Sequence, residues 1–294
     1  MNDPASRRGA LIALAVLSLI WSYNWIVMKV VLAYIGPITF SALRYAIGTA
    51  VVFALLALRR ESMAPTPWRA TIAIGVAQTT GFQALVQLAL VAGGAGKTAL
   101  LAYTMPFWVI PLSWMLLDER PGSRQWLFIA VAAAGLLLVL EPWQGLGSAS
   151  SALLALAGGA CWAIGTVLAK RAFRDARTSA LRLTAWQMLV GTIGLIVLAL
   201  CMHERSIDWT WQLYGALAYN GILSSGLAWA LWLLVVQRLP TNLAGLASLV
   251  TPLLGVGFAW VLLGEQPDTA EAAGILLMVV ALFGVLRKPP LRQQ

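Results

Sequence analysis

Residues 106–121 read PFWVIPLSWMLLDERP, and residues 252–267 read PLLGVGFAWVLLGEQP. Both stretches open on a proline (Pro106, Pro252) and carry a tryptophan at one spacing (Trp114, Trp260). Both then run through a Leu-Leu pair (Leu116-Leu117, Leu262-Leu263), a glutamate (Glu119, Glu265) and a closing proline (Pro121, Pro267). Working outward, Trp21 and Lys29 lie eight apart, as do Trp162 and Lys170. Gly48-Thr49 matches Gly191-Thr192, with Arg44 opposite Gln187. The offset between mates drifts only from 141 to 146 residues. The chain therefore reads as one sequence duplicated, with a first half at 1–145 and a second at 146–294.

The composition names the solvent. Of 294 residues, 60% are apolar and 11% are charged, and the mean hydropathy is +0.82. A soluble globule of this length cannot hide that much apolar surface behind so few charges. This excludes a cytosolic enzyme, a disordered regulator and a nucleic-acid binder, whose basic residues need a patch in soluble surroundings. A bilayer span takes about 20 apolar residues. Ten such segments are legible: Gly9–Val31, Ile38–Leu58, Ala70–Ala92, Thr98–Leu117, Trp126–Leu140, Ser151–Arg171, Leu181–Met202, Leu213–Val236, Leu243–Leu263 and Glu271–Leu286. The first run lacks a small-residue cleavage site after a short core, so it reads as a retained span. Each must be a helix, because lipid cannot satisfy exposed backbone groups. Five spans per half is an odd number, so the second half inserts upside down. The expectation is an all-α polytopic membrane protein of ten helices in two inverted five-helix repeats.

Charge sets the orientation. With the N-terminus inside, sixteen Lys and Arg residues face inward, against Lys29, Lys97 and Arg205 outside. That bias places both termini in the cytoplasm. Trp68, Trp126, Trp143, Trp209 and Trp211 fall at span ends, where aromatic belts form. Cys161 and Cys201 sit in apolar runs and read as small buried hydrophobes.

An inverted repeat is a design of many secondary transporters, with the substrate near midplane between the halves. On the duplicated Pro…Leu-Leu-x-Glu-x-Pro element and the Ile20-Trp21-Ser22-Tyr23-Asn24 stretch, the chain resembles the EamA group of the drug/metabolite transporter superfamily. In overall likeness it is similar to the YddG-type exporters of aromatic amino acids. The resemblance implies a bacterial inner-membrane exporter. It also implies a central cavity lined by helices one, three, four, six, eight and nine and open alternately to each side. The cargo would be aromatic and other neutral amino acids. Another metabolite or drug-like solute is the alternative, and a channel is a weaker one.

Polar groups inside a membrane are costly and face a cavity or a partner helix. The candidates are Asn24, Gln78, Gln83 and Gln87, with Gln83 and Gln87 on one helix face, and Ser225. Deep aromatics that could pack on a substrate ring are Trp21, Tyr103, Trp108, Trp162 and Trp229. The alternative reading of each amide is interhelical bonding, and of each ring, lipid or core packing. Arg44 is the one cation within a span. It is expected to snorkel outward or bond a neighbouring helix, with a substrate carboxylate, shared with Lys29, as the other option. Pro106 and Pro252 each remove a backbone donor in a helix interior and are read as paired hinges. No acid lies at mid-span and the single histidine, His203, is at a span end. Proton relays normally use such groups, so facilitated flux without proton coupling is expected. Neither a metal site nor a cofactor is expected. No constellation of nucleophile and base points to an enzyme. The partners are the lipid bilayer and a small-molecule substrate, and the ten-helix unit is expected to work as a monomer.

Overall fold

The structure, a computed structural model, describes residues 4–93, 95–140, 143, 149–175, 178–252, 254, 255, 258 and 269–286. The second Leu-Leu element, with Trp260, Glu265 and Pro267, lies outside the described residues. So do Gly94, Glu141, Asp268, Arg287, Lys288 and Arg292. Among the described residues all regular structure is helical. Seven helices are long and apolar enough to cross a bilayer: Arg8–Ala33, Pro37–Leu58, Trp68–Ala92, Thr98–Leu117, Ala149–Ala172, Ala180–Cys201 and Trp211–Arg238. Shorter apolar helices at Gln125–Leu138, Leu243–Pro252 and Ala272–Ala281 stand at the fifth, ninth and tenth positions. The belt tryptophans Trp68, Trp126, Trp143, Trp209 and Trp211 are all exposed. Cys161 is half-buried, but Cys201 is exposed, because the last turn of the seventh span turns it off the core.

The pairing of the spans carries the inversion. The second span packs on the middle of the eighth, and the seventh packs on the middle of the third. The first lies along the C-terminal half of the eighth, and the sixth lies along the C-terminal half of the third. The second also packs on the seventh, and the fifth on the tenth. Exchanging the halves converts each of the first four contacts into another of them and maps the last two onto themselves. Self-mapped pairs must straddle a pseudo-two-fold axis. Thr49 and Thr192, matched in the two repeats, meet there, hydroxyl to hydroxyl at 3.1 Å.

Two chemical features let the backbones come so close. Glycine stands at each crossing. A methyl added at Gly48 would lie 2.8 Å from Ser225 Cβ, and one at Gly191 would run into Thr79. Opposite each glycine the partner helix widens into a π-turn, at Gly75–Gly81 in the third span and Tyr219–Leu227 in the eighth. Such i→i+5 turns insert a residue and shift the register of the helix face beyond them.

The helix ends are tied by lysines within each repeat and by carboxylates across the repeats. Lys29 Nζ, ending the first span, donates to Leu90 O at 2.6 Å and Gly93 O at 2.9 Å, which end the third. Its mate Lys170 donates to Val236 O at 3.0 Å and Leu239 O at 2.7 Å, which end the eighth. Each ammonium thus caps orphan carbonyls at a negative helix terminus. Glu204 accepts from Ile38 N, Thr39 N and Thr39 Oγ1 at 2.6–2.8 Å, capping the start of the second span. Glu61 accepts from Ser179 Oγ at 2.7 Å, at the start of the seventh. Glu61 and Glu204 follow the second and seventh spans by the same interval, so each repeat's carboxylate holds the other repeat's helix.

The prolines act differently from the interior kinks expected of them. The fourth span stops at Ala102, turns at Tyr103-Thr104 and restarts at Met105, which leaves Pro106 in the first turn of the new helix. The ninth turns at Ser248-Leu249 and restarts at Val250, which leaves Pro252 in the first turn as well, one residue further in. A proline there forfeits no hydrogen bond, because the first-turn N–H groups have no helical partner. Thr104 Oγ1 returns to Leu101 O at 2.6 Å and Ser248 Oγ to Gly245 O at 2.7 Å, so hydroxyls satisfy the carbonyls at both breaks. Pro111 is the proline that lies inside a helix.

Candidate functional site

The first span presents Trp21, Asn24, Trp25 and Met28 at positions i, i+3, i+4 and i+7, one face of a helix. That face meets Phe82, Gln83 and Val86 of the third span, Tyr103 of the fourth, Trp162 of the sixth, and Ser224 and Trp229 of the eighth. Arg44 of the second span completes the wall. Together they enclose a cavity of about 30 Å³.

Its aromatic side is built from repeat mates. Trp21 and Trp162 meet edge to face at 5.5 Å between centroids. Trp229 closes on Trp21 at 5.1 Å, Phe82 on Trp162 at 5.1 Å and Tyr103 on Trp162 at 5.5 Å. These are the offset and edge geometries that ring quadrupoles favour. Trp21 Nε1 donates to Ser224 O at 3.1 Å, within the π-turn of the eighth span. Tyr219 OH donates to Ile20 O at 2.6 Å and anchors the start of that turn.

The polar side joins three spans. Arg44 is 2% exposed. Its Nη1 donates to Asn220 Oδ1 at 3.0 Å and its Nη2 to Gln83 Oε1. Tyr45 and Phe40 lie against the guanidinium, 5.0 and 5.6 Å from ring centroid to Cζ. Of the two dispositions expected first, Arg44 takes the bond to neighbouring helices and not outward snorkelling, because two amide oxygens and two rings are available inside. Asn24 Nδ2 donates to Met28 Sδ at 2.8 Å. Three buried polar atoms of cavity residues have no partner among the described residues: Asn24 Oδ1, Arg44 Nε and Trp162 Nε1.

Of the sequence candidates, Trp21, Asn24, Arg44, Gln83, Tyr103, Trp162 and Trp229 converge on this cavity. The others stand elsewhere. Gln78 is buried against Gly165 and Gln87 is buried beyond the cavity wall. Ser225 faces Gly48 at the crossing, and its neighbour Ser224 takes the wall instead. Lys29 is spent on helix capping. Trp108 is 42% exposed on the outer surface of the fourth span. Trp25, Met28, Phe82 and Val86 were not singled out in the sequence, and Ser224 was read there only as a serine without a base. Trp25 and Met28 were within reach, since they extend the helical face of Trp21 and Asn24. The ninth span touches this region through Thr251 O, which accepts from Ser22 Oγ at 2.8 Å.

The sequence profile of the EamA-like transporter family matches residues 8–141 and again residues 149–287, once per repeat. The chain belongs to the EamA-like transporter family, within the drug/metabolite transporter superfamily, and is a multi-pass membrane protein. A Bacillus subtilis (strain 168) protein named "Uncharacterized transporter YoaV" is 28% identical over 273 residues, 90% of this chain and 92% of its own. A Salmonella typhimurium protein named "Probable amino-acid metabolite efflux pump" is 26% identical, covering 95% of this chain and 94% of its own. An Escherichia coli (strain K12) protein of the same name is 25% identical over the same shares. One crystal structure, at 22% sequence identity, superposes with a TM-score of 0.79 over 94% of this chain and 97% of that one, which shows the shared fold.

Proposed function

We propose that this transporter exports small amphipathic metabolites, aromatic and other neutral amino acids foremost, by alternating access about the cavity at Trp21 and Trp162. The observation that carries the reading is the meeting of two repeat-mate tryptophans, edge to face, beside Asn24, Gln83 and the buried Arg44. An apolar, aromatic wall with a few fixed polar groups is the chemistry of a small-ligand site. Ligand sites usually measure about 300–1,000 Å³, far above the 30 Å³ here. A solute therefore enters only when the repeats, 1–145 and 146–294, rock apart on one side. The breaks before Pro106 and Pro252 supply equivalent hinges for that movement. The protein resides in a bacterial inner membrane with both termini cytoplasmic and works as a monomer. Without an acid in any span interior, flux runs down the solute's own gradient.

The test is flux of radiolabelled phenylalanine and tryptophan in proteoliposomes, with unlabelled competitors and an imposed pH gradient. Saturable flux, competed by aromatic amino acids and indifferent to the pH gradient, is expected. Linear, uncompeted flux would mean a channel, and a dependence on the proton gradient would overturn the uncoupled mechanism.

A further inference from the structure

Arg44 carries a permanent charge into a helical span with no anion beside it among the described residues. Its partners, Gln83 Oε1 and Asn220 Oδ1, are neutral, and its Nε has no acceptor among the described residues. The ion pair found among the described residues, Arg205 with Asp208, lies in the connection between the seventh and eighth spans. The seven acids among the described residues, Glu61, Asp118, Glu119, Asp175, Glu204, Asp208 and Glu271, all stand in loops or in the first turn of a helix. A buried charge left uncompensated is costly, and a guanidinium matches a carboxylate with a planar fork of donors. The same cavity offers a cationic group nothing but neutral acceptors and ring faces, with Arg44 repelling it.

We propose that the Arg44 cavity is an anion site, and that this carrier also exports aromatic monocarboxylates, which cross with a net charge of −1 and are driven outward by the membrane potential. This rests on the reading of the cavity as the transport site and extends its cargo from zwitterions to monoanions. The carboxylate sits against Arg44 and the ring packs among Trp21, Trp162 and Trp229. The pair of features is mechanistically coherent. A uniporter with no proton-coupling acid still exports a monoanion uphill, because an inside-negative potential expels it. Each 100 mV supports about a 50-fold concentration ratio for one charge, from ~2.3 kcal/mol per elementary charge. A zwitterionic amino acid gains nothing from the same potential.

3-Phenyllactate and phenylalanine test this, since they share ring and carboxylate and differ by a hydroxyl in place of the ammonium. The full-length protein is reconstituted in vesicles, and valinomycin with a potassium gradient sets the interior 100 mV positive. Labelled phenyllactate is expected to accumulate many-fold, toward the ceiling of about 50-fold, while phenylalanine stops at an equal concentration. Carried phenylalanine with excluded phenyllactate, or phenyllactate that stops at an equal concentration, overturns the anion proposal and leaves the amino-acid reading standing. Flux of neither compound sinks both. Arg44→Gln is expected to weaken phenyllactate binding at least tenfold, read by quenching of tryptophan fluorescence. Should that variant not fold, Asn220→Asp places a carboxylate on Arg44 from outside the cavity wall. It should keep the wild-type melting temperature and lose phenyllactate at least tenfold. Wild-type affinity in Asn220→Asp would overturn the proposal.

Discussion

Trp162 is 1% exposed and packs against Trp21, Phe82, Tyr103, Trp229 and Trp232. It is both wall and keystone of the cavity. Replacing it with alanine is expected to cost about 3–5 kcal/mol, the usual range for a buried tryptophan, and to lower the melting temperature in detergent sharply. Trp108→Ala should change neither melting temperature nor flux by more than about twofold, since its ring faces outward and fills no internal volume. A thermal-shift and flux comparison of the two separates cavity rings from surface rings. The contrast was hidden in the sequence, where both are deep tryptophans near Pro106 or a glycine. Arg44 makes the same point. Its partners are 39 and 176 residues away, a distance over which no local pattern speaks.

At the scale of elements, the helix crossings are set by glycine against π-turn. Gly48→Leu and Gly191→Leu are both expected to abolish folded expression, because each side chain would collide with a helix that cannot retreat without breaking its mate's crossing. Size-exclusion profiles of the purified variants check this. The Lys29 and Lys170 caps lie on opposite faces of an inverted repeat, each tying two spans of its own repeat beside the cavity. Lys29→Met should raise the accessibility of cysteines introduced on the side of Gly93, and Lys170→Met of those on the side of Leu239. Labelling rates with a membrane-impermeant thiol reagent read the difference. Equal labelling on both sides in both variants would show that the lysines cap helices without biasing closure. The duplicated Trp-x7-Lys spacing was plain in the sequence, but its use was not. A lysine at a helix end reads equally as topology, ligand or cap until the carbonyls beside it are located.

For the whole molecule, the pseudo-two-fold axis passes by Thr49 and Thr192 and brings Trp21 to Trp162. The double variant Thr49→Ala/Thr192→Ala should therefore lose less stability than the two single changes summed. The coupling is expected to be about 0.6 kcal/mol, the average for interhelical hydrogen bonds in membranes, and a double-mutant cycle of melting free energies measures it. Orientation is a property of the entire chain too. Reporter fusions at the N- and C-termini should both read cytoplasmic, since sixteen Lys and Arg residues fall on that side against three on the other. A periplasmic signal from either end would reverse the direction assigned to transport.

Hydropathy, charge and internal duplication are properties of a line of residues, and they alone made the all-helical membrane fold, its inverted halves and the repeat mates legible. Helix starts were placed one to five residues late, because capping and interfacial residues carry little hydropathy. Which polar groups meet was decided only in three dimensions. Each residue of a helix turns its side chain about 100° from the last, and a π-turn shifts that phase again. Ser224 thus lines the cavity while Ser225 meets Gly48, and Arg44 turns inward to Gln83 and Asn220. The placement of a side chain in a helical membrane protein depends on the rotation of its helix, and rotation is fixed by packing against spans far away in the chain.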